Sequence, residues 1–157
     1  MKCFFEKFLC FTEWFFRLLM LVGILGMLIL FGRFFLDLFG VISYAPPIDL
    51  EGSTIIRVDL VNAEYQSDTE IIAEITQPEL DQFLDDFMQI SFKRYANDPP
   101  EPYGDWLVIV HYSDGYADWI GNEMNQRFDA SGNAISTGGW YYCPGNEMEV
   151  LFSKYTR

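Results

Sequence analysis

The sequence predicts an α+β protein: one N-terminal transmembrane helix, then a small domain with a curved antiparallel sheet packed by one or two helices. Three observations predict it. A run of 15 residues without charge, Leu18–Gly32, lies near the N-terminus. Short β-branched segments, separated by turn residues, fill most of the chain after Gly52. Two stretches in that same part repeat apolar residues at helical spacing.

Charge divides the chain in the same place. Among the 157 residues, 20 of the 23 acids lie at or after Asp49, where only 6 of the 10 bases sit, so that part carries −14. The first 48 residues hold 4 bases and 3 acids, and 10 of the 15 Phe lie at or before Phe39. A greasy, near-neutral front is therefore joined to a strongly acidic domain. Nothing basic enough to neutralise phosphates is present, which argues against a nucleic-acid partner. The same balance argues against the acidic domain lying on an anionic lipid surface.

The front is read as a membrane anchor. Alone, Leu18–Gly32 would span only ~22 Å as a helix. With Trp14–Phe16 and Phe34–Phe35 added, the stretch reaches the ~20 residues that cross a ~30 Å hydrocarbon core. Arg17 and Arg33 would snorkel toward the two head-group regions, and Trp14 suits an interface. Ser43-Tyr44-Ala45 has the small residues of a cleavage site, but Pro46 follows it and the apolar stretch lies too far upstream for a signal peptide. Lys2, Lys7 and Arg17 precede the span and Arg33 alone follows it closely. The expected orientation is N-terminus in the cytoplasm, with the domain outside the cell membrane.

Within residues 1–17, Lys2–Glu6 and Glu13–Arg17 are i,i+4 pairs, and Phe4, Phe8, Phe11 and Phe15 form a stripe on another face. This predicts an amphipathic juxtamembrane helix leading into an anchor over 14–42, with its core span over about 14–35. Arg33 and Asp37, also four apart, are candidate contacts with lipid or a second membrane helix, together with Arg17. Gly23 and Gly26 are three apart and do not make the small-xxx-small dimer motif.

Pro46 and Pro47 break any helix, so residues 43–52 read as a linker and 53–157 as the acidic α+β domain. Thr54–Val61 alternates and is a strand; Glu70–Thr76 is a second. Thr76-Gln77-Pro78-Glu79 fits a capping box, and Leu80, Phe83, Leu84, Phe87 and Met88 then give an amphipathic helix. Ile90–Tyr95 reads as a strand and Asn97–Pro102 as a loop. Trp106–Tyr112 is apolar on both faces, as in a central strand. Asp114-Gly115 signals a type I′ hairpin, followed by strands over 116–121, 123–130 and 136–143, with a turn at 131–133. Met148, Leu151, Phe152 and Tyr155 predict a last helix.

The chemistry-bearing residues are few. His111 is the one histidine, set in the most apolar strand, and its expected role is a strand histidine paired with backbone or a neighbour. No Gly-x-Ser-x-Gly elbow accompanies it. Cys3, Cys10 and Cys143 contain no Cys-x-x-Cys and, with one histidine, build no usual zinc set. Cys143 is expected to be a buried small residue. No calcium-loop run occurs; Asp129–Asn133 resembles one in composition only and reads as a turn. No cofactor is implied.

The remaining lead is acidic and aromatic surface. Trp119, Trp140, Tyr141 and Asp114 are the first candidates for contact with a protein partner, and the Asp81/Asp85/Asp86 helix face is the second. The expected function is a membrane-anchored extracytoplasmic binding or regulatory domain that recognises a protein. The alternative is a single-pass subunit of a membrane complex acting through its helix, and an envelope hydrolase is a third reading.

Overall fold

The computed structural model describes residues 2–39, 41–48, 53–62, 70–95, 104–135 and 139–156; side chains are described from Trp14 onward, Leu38 excepted. The expected 97–102 loop lies outside the described residues, as do the side chains of the 1–13 stripe and part of the 136–143 strand. The chain divides into two units, residues 1–39 and 40–157.

The first unit is one continuous helix, α1 (Lys2–Leu38, 37 residues). At 1.5 Å per residue it is about 55 Å long. Its Trp14–Asp37 stretch, 24 residues, is long and apolar enough to cross a membrane, and none of that window is buried. Large apolar side chains are exposed along its whole length, from Trp14 to Leu36. The helix closes where Phe39 N–H donates to the Phe35 carbonyl at 2.9 Å.

The second unit is α+β. Its strands are β1 (Ile55–Asn62), β2 (Glu70–Ile75), β3 (Lys93–Arg94), β4 (Trp106–Tyr112), β5 (Ala117–Gly121), β6 (Asn125–Phe128), β7 (Ala134–Ile135) and β8 (Tyr141–Tyr142). Its helices are α2 (Leu80–Phe87) and α3 (Glu147–Tyr155). Six strands form an antiparallel sheet in the order β2-β1-β4-β5-β6-β7, and β3 pairs with β8 in a separate ribbon. The unbroken apolar run of β4 has its reason here: it has a strand on either side, and Leu107–Val110 are buried on both faces.

One face of the sheet carries the principal core. Val58, Leu60, Val108, Val110 and Ile120 meet Leu80, Phe83 and Phe87 of α2 and Met148, Leu151 and Phe152 of α3. Phe83 stacks on Phe87 at 5.7 Å, and Trp106 leans on Phe152 at 5.0 Å. Each such buried side chain contributes about 1.5–3 kcal/mol of transfer free energy. Phe92 and Cys143, which flank the β3–β8 ribbon, belong to the same core. The Cys143 thiol is buried, and burial pushes its pKa up.

The first part of the expected linker packs on the domain. Tyr44 and Phe92 exchange both backbone hydrogen bonds, at 2.8 and 2.9 Å. The Tyr44 ring meets Tyr141 edge-on at 5.4 Å, and Pro46 is buried. Lys93 Nζ donates to Ser43 Oγ at 2.8 Å and to the Val41 carbonyl at 3.4 Å.

Three local expectations are corrected. No side chain caps α2; Glu79 and Leu80 N–H donate instead to the Thr76 carbonyl, so a backbone turn replaces the capping box. The β4–β5 loop holds three residues, closed by Tyr112 N–H to the Tyr116 carbonyl, with Gly115 at φ 89°. That is a turn followed by one left-handed residue, not a two-residue type I′ turn. The Ile90–Tyr95 strand shrinks to Lys93–Arg94, because Gln89 and Ile90 N–H still serve the turn that ends α2.

Candidate functional site

The other face of the sheet carries neither α2 nor α3. Side chains alternate along a strand, so Arg57, Asp59 and Val61 of β1 share this face. The register sets His111 of β4 opposite Arg57, and Ile109 opposite Asp59. Ile109 in turn lies opposite Trp119 of β5, and Glu74 of β2 opposite Asp59. Val61, Leu107 and Ile109 form a small second core here, against which Ala117 and Trp119 pack. The Trp119 and Phe128 rings lie 5.0 Å apart.

Beside this apolar strip sits a charged cluster. Asp59 is buried, with its side chain 3% exposed. His111 Nε2 lies 2.8 Å from Asp59 Oδ2, and Arg57 Nη2 donates to the same oxygen at 3.1 Å. Arg57 Nε lies 3.1 Å from Asp59 Oδ1 as an opposite charge, without hydrogen-bond alignment. Arg57 Nη1 reaches Glu74 Oε2 at 3.7 Å. A carboxylate only accepts, so the bond to Asp59 assigns a proton to the imidazole Nε2. Arg57 Nη2, 3.2 Å from that nitrogen, is then a second donor to Asp59 and not a donor to His111. The buried carboxylate thus orients one imidazole and one guanidinium at the edge of an aromatic strip. His111 donates to Asp59, with Arg57 as a close neighbour that shares the same acceptor. The arrangement offers fixed charges and a half-buried indole, the materials of a recognition surface.

The expected site residues fall on separate elements. Trp119 alone belongs to the face just described. Tyr141 is turned toward the principal core, and its N–H donates to Asn125 Oδ1 at 2.8 Å. Trp140 sits on the ribbon, its carbonyl accepting from Tyr95 N–H at 2.9 Å. Asp114 is exposed at the hairpin tip, where it accepts from the Ser53 hydroxyl and from Tyr116 N–H; these bonds hold its carboxyl below the usual range. Asp129 holds its own turn by accepting from Ser131 and Asn133 N–H, each at 2.9 Å.

On α2, Asp81 and Asp85 are exposed and Asp86 is half-buried. Asp81 accepts from Gln77 Nε2 at 3.0 Å. Asp86 Oδ2 accepts from both Lys154 Nζ and Tyr155 OH of α3, which ties the two helices together. Those donors lower the Asp86 pKa, while burial and the bond to Asp86 raise that of Tyr155. Arg17, Arg33 and Asp37 lie on α1, in the other unit.

Sequence reading placed His111 correctly in its strand but missed Asp59 and Arg57. A signal was present. Two charges at i and i+2 in an otherwise β-branched strand must share one face. Among the described residues, no group of three or more His, Cys, Asp or Glu side chains is arranged to hold a metal ion. No family model, curated protein or solved structure matches the chain.

Proposed function

We propose that the chain is a membrane-anchored binding module: α1 fixes it in the cell membrane, N-terminus inside, and the acidic domain outside recognises a protein partner. The recognition surface is the sheet face that carries Trp119, Phe128 and the Arg57–Asp59–His111 cluster. One observation carries this reading. On that face a half-buried indole stands next to charges already oriented by a buried carboxylate, so binding would cost little ordering of side chains. Asp81 and Asp85, exposed on α2, supply acidic surface that speeds encounter with a basic partner.

A photocrosslinking amino acid placed at Trp119 in the full-length protein, in its own membrane, tests this. A discrete protein adduct at Trp119, lost on Arg57→Ala and missing from a control position at Val150, is the expected result. A folded protein with no adduct at Trp119 removes this face from consideration. Exchanging residues 1–42 for an unrelated anchor separates the second reading: loss of the adduct after exchange assigns recognition to the helix.

A further inference from the structure

The domain's few bases are unevenly placed. Of the 6 bases at or after Asp49, two are adjacent, Lys93 and Arg94, and both lie in the β3–β8 ribbon. Lys93 pairs with Tyr142, and Tyr95 N–H donates to the Trp140 carbonyl, so the ladder continues one step further. Period-two alternation then places Lys93, Tyr95, Trp140 and Tyr142 on one face of the ribbon. Its opposite face is the one that reaches the core, through Phe92 and Tyr141. The Tyr95 and Tyr142 rings lie 4.4 Å apart, tilted by 36°, and Trp140 and both tyrosines are half-buried. Arg94 is exposed beside Gly139. Glu123 is the acid near Tyr95.

A Trp, two Tyr and Lys93 on this one face have the composition of a membrane–water interface, where amphipathic rings sit at head-group level and a base meets phosphate. Within the domain the ribbon also holds the segment that follows the anchor in sequence. Val41 comes three positions after Leu38, the last helical residue, and Lys93 holds both the Val41 carbonyl and Ser43 Oγ. The remainder of the domain is rich in acids, which an anionic leaflet repels, so this face is the one that can approach it. We propose that the outer face of the β3–β8 ribbon seats on the phospholipid head groups of the membrane that holds α1. This rests on the anchor reading, but not on the protein-binding face.

The test uses the full chain in nanodiscs of phosphatidylcholine, with or without phosphatidylglycerol. A benzophenone amino acid is placed in turn at Tyr142, Trp140, Ser131, Ser153 and Leu25, and phospholipid adducts are read by mass. Adducts at Tyr142 and Trp140, well above those at Ser131 and Ser153 and increased by phosphatidylglycerol, are expected. The variant Lys93→Glu should lower the yield at Tyr142 roughly five-fold, leaving Ser153 unchanged. Adducts at Leu25 with only control levels at Tyr142 and Trp140 overturn the ribbon contact and leave the anchor standing. No adduct at Leu25 overturns the anchor reading, and the ribbon contact with it.

Discussion

Asp59 and His111, 52 positions apart in the chain, meet at 2.8 Å across the β1–β4 pair. The carboxylate is nearly sealed from solvent, whereas the imidazole is 27% exposed. That asymmetry fixes which partner matters more to the fold. Asp59→Ala strands the donors of both Arg57 and His111 and should cost about 2–3 kcal/mol, while His111→Ala should cost about 1 kcal/mol or less. Urea denaturation of the two variants checks the order; equal losses would mean that Asp59 is not the hub.

A second buried carboxylate sits on the opposite face. Asp118 receives Arg127 through two bonds of 2.6 Å and the Tyr112 hydroxyl at 2.5 Å, while the guanidinium lies 5.6 Å from the Tyr112 ring centre. Asp118→Ala removes both charge-assisted bonds that Arg127 makes to this buried carboxylate and should lose about 3–5 kcal/mol. Tyr112→Phe removes one bond to a charged acceptor and should lose about 1.5–3 kcal/mol. Both are measurable as shifts in denaturation midpoint.

Acid should loosen the α2–α3 tie. The folded-state pKa of Asp86 is lowered by its hydrogen bonds to Lys154 and Tyr155. A lowered carboxyl contributes stability above its unfolded value of about 3.9, and that stability is lost as pH falls through the folded value. Amide exchange in α3 should therefore quicken below about pH 4. Asp86→Asn should flatten that response, and an unchanged acid limb in the variant would show that other carboxyls govern it.

Gly104 has φ 75°, and a Cβ there would strike the Asn122 side-chain amide. That amide is not idle: its Oδ1 accepts from Trp106 N–H at 3.1 Å, and the Asn122 carbonyl accepts from Cys143 N–H at 2.8 Å. Gly104→Ala thus combines left-handed strain with a displaced clamp, and about 1–3 kcal/mol of destabilisation is expected. Asn122→Ala should cost about 1–2 kcal/mol, and the double variant should cost less than the sum. Thermal melts of the three proteins decide it.

Elements whose pattern depends on burial alone were legible in the sequence. The apolar run of β4 emerges at its expected place, and α2 and α3 carry their expected i, i+3, i+4 stripes but begin about three residues later than expected, because burial imposes the period but not the helix start. Elements that depend on a distant partner were not. Lys93–Arg94 is a strand only because Tyr141–Tyr142 lies beside it, 48 positions later. Asp59 looked like an ordinary polar position of an alternating strand, and its meaning arises from His111. The aromatic residues read together as one surface divide between the two faces of the sheet and the ribbon, since period-two alternation sends neighbours such as Trp140 and Tyr141 to opposite sides.

The Tyr44–Phe92 bridge has a mechanical consequence. Tension entering the domain from its N-terminal side meets this single bridge and the Lys93 staple before it meets any strand of the six-stranded sheet. A pull would peel residues 41–48 away first, at low force, and lengthen the leash while the sheet stays closed.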